Sequence, residues 1–265
     1  MNKPRLCFTL LYANEMFHLS RNFKLQAVGD LSWLIDNYEF ESIARSIDEL
    51  IILNVDKGEV NWQEFVSVVH KITTQCFMPV AIGGGIRSID HAQILFANGA
   101  DKIVLNSVYF EDPELVTLLV ENFGAQSIIA SLDFMSEEGC EGEVFINCGQ
   151  KKTSLTISDA LKIVVRVGAG EVYLTSIDRD GTGMGYDLMA IERAHNLCDL
   201  PLIASGGADT YDRLAEGIRS GFVSAVSTSH LFNFMGSGLR DARNELINDG
   251  IGLSSWSFEE LENAG

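Results

Sequence analysis

No stretch of this sequence is long and apolar enough to span a bilayer, since runs such as Leu50–Leu53 and Ile128–Leu132 end after a few residues. The opening Met1-Asn2-Lys3-Pro4-Arg5 lacks the long apolar segment and small-residue cleavage site of a secretion signal, so a cytoplasmic location is expected. Cysteine is sparse and unclustered. Cys7, Cys76, Cys140, Cys148 and Cys198 include no CxxC pair, which argues against a disulfide framework or a structural zinc site. Cys7, Cys76 and Cys198 are expected as small core residues. Positive charge is short as well: 19 Lys and Arg face 37 Asp and Glu, a formal net charge of −18. That balance opposes a broad nucleic-acid surface, so an anionic ligand must be held by local backbone donors. The acidic residues Asp36, Glu39, Glu41, Asp48, Glu49, Glu259, Glu260 and Glu262 read as solvated faces of outer helices. There is no Walker loop, dinucleotide fingerprint or nucleophile elbow. His18, His70, His91, His195 and His230 have no partner at metal-ligand spacing, so neither metal nor cofactor is expected. The first four are read as surface or packing residues on helices or loops; His230 follows a glycine-rich turn and could touch an anion.

What is present is alternation. Short β-rich runs near 5–12, 48–54, 78–82, 101–106, 126–133, 170–176, 200–205 and 223–228 alternate with helical periods, the mark of parallel βαβ units. The helices fall near 31–45, 62–75, 88–98, 112–123, 156–167, 187–197, 210–220 and 238–249. Eight strands and 265 residues predict one α/β domain over 1–265, a (β/α)8 TIM barrel. Residues 134–153, with Gly139, Gly142 and Gly149, read as an inserted loop or small hairpin, and the chain after about 252 as frayed.

The strongest internal signal is a repeat. Shifted by 122 positions, Glu49–Phe110 aligns without a gap on Glu171–Phe232, matching Asp56 with Asp178, Pro79 with Pro201, Gly84 with Gly206, Gly85 with Gly207 and Ser107 with Ser229. Two duplicated half-barrels, about 1–122 and 123–250 with a tail at 251–265, are therefore expected. The same shift sets Leu11 opposite Asp133.

Active sites of such barrels lie at the C-terminal ends of the strands. Gly84 and Gly85 follow the third strand, Gly206 and Gly207 the seventh, and the neighbouring strands end in Asn106-Ser107 and Thr228-Ser229. Glycines let backbone N–H groups approach an anion closely, so two phosphate sites on opposite sides of the mouth are expected. The plain alternative is that these glycines only serve tight turns. Asp133, Asp178 and Asp180 end strands at the same mouth and are the candidate catalytic acids and bases. The last two lie in a polar turn that could equally brace itself.

These motifs resemble the cyclase (synthase) subunit family of imidazole glycerol phosphate synthase, a ribulose-phosphate-binding type of barrel. The most specific pieces are "PVAIGGGIRS" at 79–88, "GADKIVLNS" at 99–107, "TSIDRDGTGMGYD" at 175–187 and "PLIASGGA" at 201–208. The resemblance runs from Arg5 to about residue 250. It implies a heterodimer with a glutaminase (glutamine amidotransferase) subunit and ammonia entering at the barrel floor. It assigns the ammonia gate to Arg5, Glu49, Lys102 and Glu171, for which a plain salt-bridge plug is the structural alternative. It also makes Asp101 a glutaminase contact.

The chain departs from the family at its first half. Leu11 stands where the resemblance places the first of two catalytic aspartates, Leu19 where it places a loop lysine (with Arg21 nearby), and Asn54 where it places an aspartate. Loss of an acid–base group costs about 10²–10⁴-fold in rate. The pattern is similar to a divergent branch associated with surface-polysaccharide and nonulosonic-sugar genes, thought to convert an acetamido group into an acetamidino group. Three functions stay open: an amidotransferase subunit with a changed sugar substrate, the histidine-pathway cyclase, and a non-catalytic barrel that stimulates a glutaminase.

Overall fold

The structure, a computed structural model, describes residues 3–38, 40–43, 45–136 and 141–254. In chain order its elements are β1 (Arg5–Ala13), β2 (Met16–Arg21), β3 (Lys24–Gly29), α1 (Leu31–Asn37), α2 (Phe40–Ile43), β4 (Glu49–Asn54), α3 (Trp62–Thr73), β5 (Val80–Gly83), α4 (Ile89–Ala97), β6 (Lys102–Leu105) and α5 (Val108–Glu111). The chain continues through α6 (Pro113–Phe123), β7 (Ile128–Met135), β8 (Glu143–Ile146), β9 (Lys151–Thr156), α7 (Ile157–Val167), β10 (Glu171–Ser176), α8 (Leu188–Leu197), β11 (Leu202–Ser205), α9 (Tyr211–Arg219), β12 (Ala225–Thr228) and α10 (Gly238–Asn248).

Strands β1, β4, β5, β6, β7, β10, β11 and β12 pair in parallel, each with its two neighbours, and the ring closes where β12 meets β1 and β7 meets β10. This is a (β/α)8 barrel. Local chemistry sets the element ends. In α7, Thr156 caps the first turn by accepting from Asp159 N at 3.2 Å, Ile157, Ala160, Leu161 and Val164 form the buried face, and Gly168 at φ 115° stops the helix. Pro113 opens α6 behind the cap of Asp112.

Even-numbered residues of β1 (Leu6, Phe8, Leu10, Tyr12) pack outward against the helices, while odd-numbered ones fill the lumen. The lumen is layered from the floor upward. Arg5, Glu49, Lys102 and Glu171 close the bottom. Cys7, Ile51, Ala81, Val104, Ile129, Tyr173, Ile203 and Ala225 form a dry layer above them. Next come hydroxyls: Thr9 Oγ1 lies 2.9 Å from Tyr173 OH and 2.7 Å from Ser227 Oγ, and Tyr173 OH lies 2.8 Å from Ser205 Oγ.

Several expectations change. The stretch between β1 and α1 forms an antiparallel hairpin, β2–β3, and the helix expected near 31–45 is two short ones. The 134–153 insert is the hairpin β8–β9, reaching to Thr156. At the start of the tail Ile251 and Leu253 are buried and the Arg243 guanidinium holds Ser254 O; the rest of the stretch expected to fray lies outside the described residues. Positions 255–265, including Glu259, Glu260 and Glu262, lie outside the described residues, as do Glu39 and Cys140 and the side chain of Glu41. Nor are Asp48 and Glu49 solvated. Asp48 is clamped by Arg243 at 2.9 Å and accepts from Leu6 N at 2.8 Å, because the strand start draws it under α10. No described helix is long and apolar enough to cross a membrane.

Candidate active site

The C-terminal ends of the barrel strands surround a cavity of about 840 Å³. Asp133, near the end of β7, stands in its wall, level with Thr175 of β10 in the strand register. Only 9% of Asp133 is exposed, and its Oδ2 accepts one side-chain hydrogen bond, from Asn106 Nδ2 at 3.1 Å. Burial first, and then the negative charge of Asp180, push its carboxyl up from 3.8 to about 7; the contacts with Asn106 and Ser131 oppose the shift. A carboxyl tuned to neutrality can take or give a proton at working pH.

Asp180 is another acid of this wall, also raised by burial. Its Oδ2 accepts from Ser20 Oγ at 2.5 Å and from Phe23 N at 3.0 Å, so it fastens the tip of the β2–β3 hairpin to the mouth. Asn22 adds hydrogen bonds to the carbonyls of Ile177 and Asp178. Asp178 lines neither this cavity nor the smaller one described next; its carboxylate accepts from Ser136 N at 2.7 Å and braces the loop.

The glycine turns both have left-handed backbones, with φ of 100° and 68° at Gly84 and Gly85 and 90° and 107° at Gly206 and Gly207. Each is also packed too closely for a side chain. A Cβ on Gly84 would lie 2.0 Å from Asn54 O, and one on Gly206 would lie 2.5 Å from Ser176 O. The turns need glycine for packing whatever they bind. Gly84, Gly85, Asn106 and Ser107 border the large cavity, with Ser107 Oγ 3.0 Å from Asn147 Oδ1. Gly206, Gly207 and Thr228 border a separate pocket of about 20 Å³, and Ser229 faces both. The Thr228 hydroxyl is already spent on Ala208 O at 2.8 Å. His230 lines the small pocket.

At the floor, Arg5, Glu49, Lys102 and Glu171 alternate in sign around a closed ring. Arg5 meets Glu49 at 2.5 Å and also pairs with Glu171, while Lys102 meets Glu49 at 2.8 Å and Glu171 at 2.5 Å. Burial raises Glu49 despite both cations; at Glu171 burial is outweighed by Arg5 and Lys102, and its carboxyl is lowered. Beside the ring, exposed Asp101 accepts from Val80 N at 2.8 Å and ties β6 to β5.

Leu11, in register with Leu53, presents hydrocarbon to the cavity. One reading of the sequence is overturned: His91 is not away from the mouth. It lines the cavity, stacked on Trp62 with ring centroids 4.0 Å apart. His18 is buried on β2, paired in register with Leu11, and not on a helix or loop. Phe23 lines the cavity and reaches across it, its ring 2.7 Å from where a Cβ on Gly149 of the second hairpin would sit. Among the described residues no group of three metal-ligating side chains occurs.

Fold and site together define a (β/α)8-barrel protein with a neutral-tuned carboxyl at the mouth and a charged ring at the floor. The chain belongs to the histidine biosynthesis protein family, whose model matches residues 23–235, as a relative of the imidazole glycerol phosphate synthase cyclase subunit. It is 38% identical over 257 residues, 97% of this chain and 95% of the other, to a protein of Parasynechococcus marenigrum (strain WH8102) named "Putative imidazole glycerol phosphate synthase subunit hisF2".

Proposed function

We propose that this chain is the synthase subunit of a glutamine-dependent amidotransferase, taking ammonia from a glutaminase partner at its floor and using it on a phosphorylated or nucleotide-linked sugar at its mouth. The observation that carries the reading is the coaxial arrangement of the four-residue charged ring below and the Asp133 carboxyl, tuned to about 7, above. Arg5, Glu49, Lys102 and Glu171 form the ammonia gate, with Asp101 at the partner's edge. Ammonia then has one apolar layer to cross before the hydroxyls of Thr9, Tyr173, Ser205 and Ser227. Asp133 carries two protons in turn from the attacking nitrogen to the carbonyl oxygen, the first on attack and the second as that oxygen departs. With Leu11 where the family resemblance places a carboxylate, the acceptor is an acetamido group, whose carbonyl oxygen leaves as water while C=NH forms. The test is a mass-spectrometric screen of phosphorylated and nucleotide-linked acetamido sugars with ammonium salts. A product with NH in place of O is expected, and undiminished product from Asp133→Asn would remove Asp133 from the chemistry.

One observation favours a second reading. Asp180 lies close enough to raise Asp133 electrostatically, so the mouth still holds two interacting carboxyls despite Leu11. Such a pair could serve the cyclase step of histidine biosynthesis. Robust growth of a complemented histidine auxotroph would select this reading over the sugar substrate.

A further inference from the structure

The two glycine turns do not open alike. The second borders a pocket of about 20 Å³, with Asp180 and Ser20 of the hairpin fastening in its wall. The first turn opens into the cavity of about 840 Å³.

Three features gather on that open side. Trp62 and His91, both half-buried, are stacked at 4.0 Å with planes 24° apart and both line the cavity. Asn54, which lines the cavity and is 5% exposed, uses its Oδ1 to accept from Asp56 N at 2.9 Å, yet its buried Nδ2 lacks a partner among the described residues. A buried donor left unpaired is destabilising unless a ligand satisfies it. Lys57 and Arg87 are the cations of the cavity wall; Lys57 has no ion-pair partner among the described residues, and Arg87 reaches Glu111 at 3.3 Å from an exposed position. Of the acids nearby, Asp56 turns Oδ1 to Asn14 N at 2.9 Å, and Glu59 is exposed.

We infer that this side of the mouth seats a nucleoside diphosphate, the base extending the Trp62–His91 stack and both phosphates lying along the Gly84–Gly85 turn between Lys57 and Arg87. Asn54 Nδ2 donates to a phosphate oxygen. A flat heterocycle gains most from an aromatic face, and adjacent phosphates suit donors gathered at one end better than donors divided between two pockets. The inference rests on the proposed phosphate-holding mouth and narrows its occupant to a nucleotide-linked sugar, with the sugar pointing toward Asp133 and Leu11. It differs from the expectation of a ligand with one phosphate at each side, which the bisphosphate represents in the test.

Calorimetry on the full chain with UDP, ADP and fructose 1,6-bisphosphate tests it. At least one nucleotide is expected to bind about tenfold or more tightly than the bisphosphate. Trp62→Ala should weaken nucleotide binding about tenfold and leave the bisphosphate unchanged, while Trp62→Phe keeps most of the affinity. Circular dichroism checks that both variants fold, and quenching of tryptophan fluorescence by nucleotide, lost in Trp62→Phe, gives a second readout. Bisphosphate binding as tight as both nucleotides, or nucleotide binding indifferent to Trp62→Ala, overturns the inference while the phosphate-holding mouth stands. If none of the three binds, both fall.

Discussion

Asp133 should destabilise the protein that carries it. Its carboxyl is held at about 7 against an ordinary 3.8, which penalises the ionised folded state by about 4 kcal/mol when fully expressed. The folded state binds the proton more tightly than the unfolded chain. The penalty is therefore absent below about pH 4, grows as pH rises, and is complete above about pH 7. Asp133→Asn keeps the shape and can still accept from Asn106 Nδ2, but it has no charge to bury. Urea denaturation of both proteins at pH 4 and pH 8.5 isolates this contribution, because other titrating groups are common to the pair. The variant is expected to match the wild type at pH 4 and exceed it by about 2–4 kcal/mol at pH 8.5. A variant less stable at pH 8.5, or a gap that does not change with pH, would refute the argument that burial tunes this acid. The measurement requires no substrate.

Asp180→Asn removes the negative neighbour, so the Asp133 titration followed by carboxyl-detected NMR should move to lower pH; an unmoved midpoint would separate the two acids. Glu49→Gln leaves Arg5 and Lys102 short of one counter-ion in a site 1% exposed, and a loss of about 3–5 kcal/mol is expected in urea denaturation. Lys162→Ala, which breaks an exposed helix pair with Asp159, should change stability by less than about 0.5 kcal/mol in the same assay. Gly84→Ala forces a Cβ to within 2.0 Å of Asn54 O at φ 100°, and should cost more than about 2 kcal/mol or shift β4 in a crystal structure.

Periodicity made the barrel legible, because eight parallel strands buried on both faces leave dense β-branched runs that no surface strand imitates. The floor ring was named by the family resemblance; each of its charges stands at or near the start of a strand, and the four meet only once the barrel closes. The β2–β3 hairpin was missed, although Asn14 and Asn22 offered a signal. Each begins a two-residue turn with φ of 47° and 63°, or 49° and 59°, where asparagine is tolerated; Glu15 and Phe23, which follow them, carry no such preference. The partnership of Asp133 with Asp180, and of Trp62 with His91, could not be read locally. The first joins β7 to the turn after β10 and the second joins α3 to α4, approaches that depend on how the barrel closes and its helices pack. Asp178 and Asp180 looked interchangeable two residues apart, yet one faces the cavity and the other a backbone amide of the neighbouring loop.

The dry layer of Cys7, Ile51, Ala81, Ile129, Ile203 and Ala225 insulates one end of the lumen from the other. Four balanced charges below it present almost no net field to an acid above it, and the acid's own titration is hardly felt underneath. Either end can then be rewritten without retuning its opposite. A leucine could settle at the rim while the foundation of the barrel kept its alternating signs.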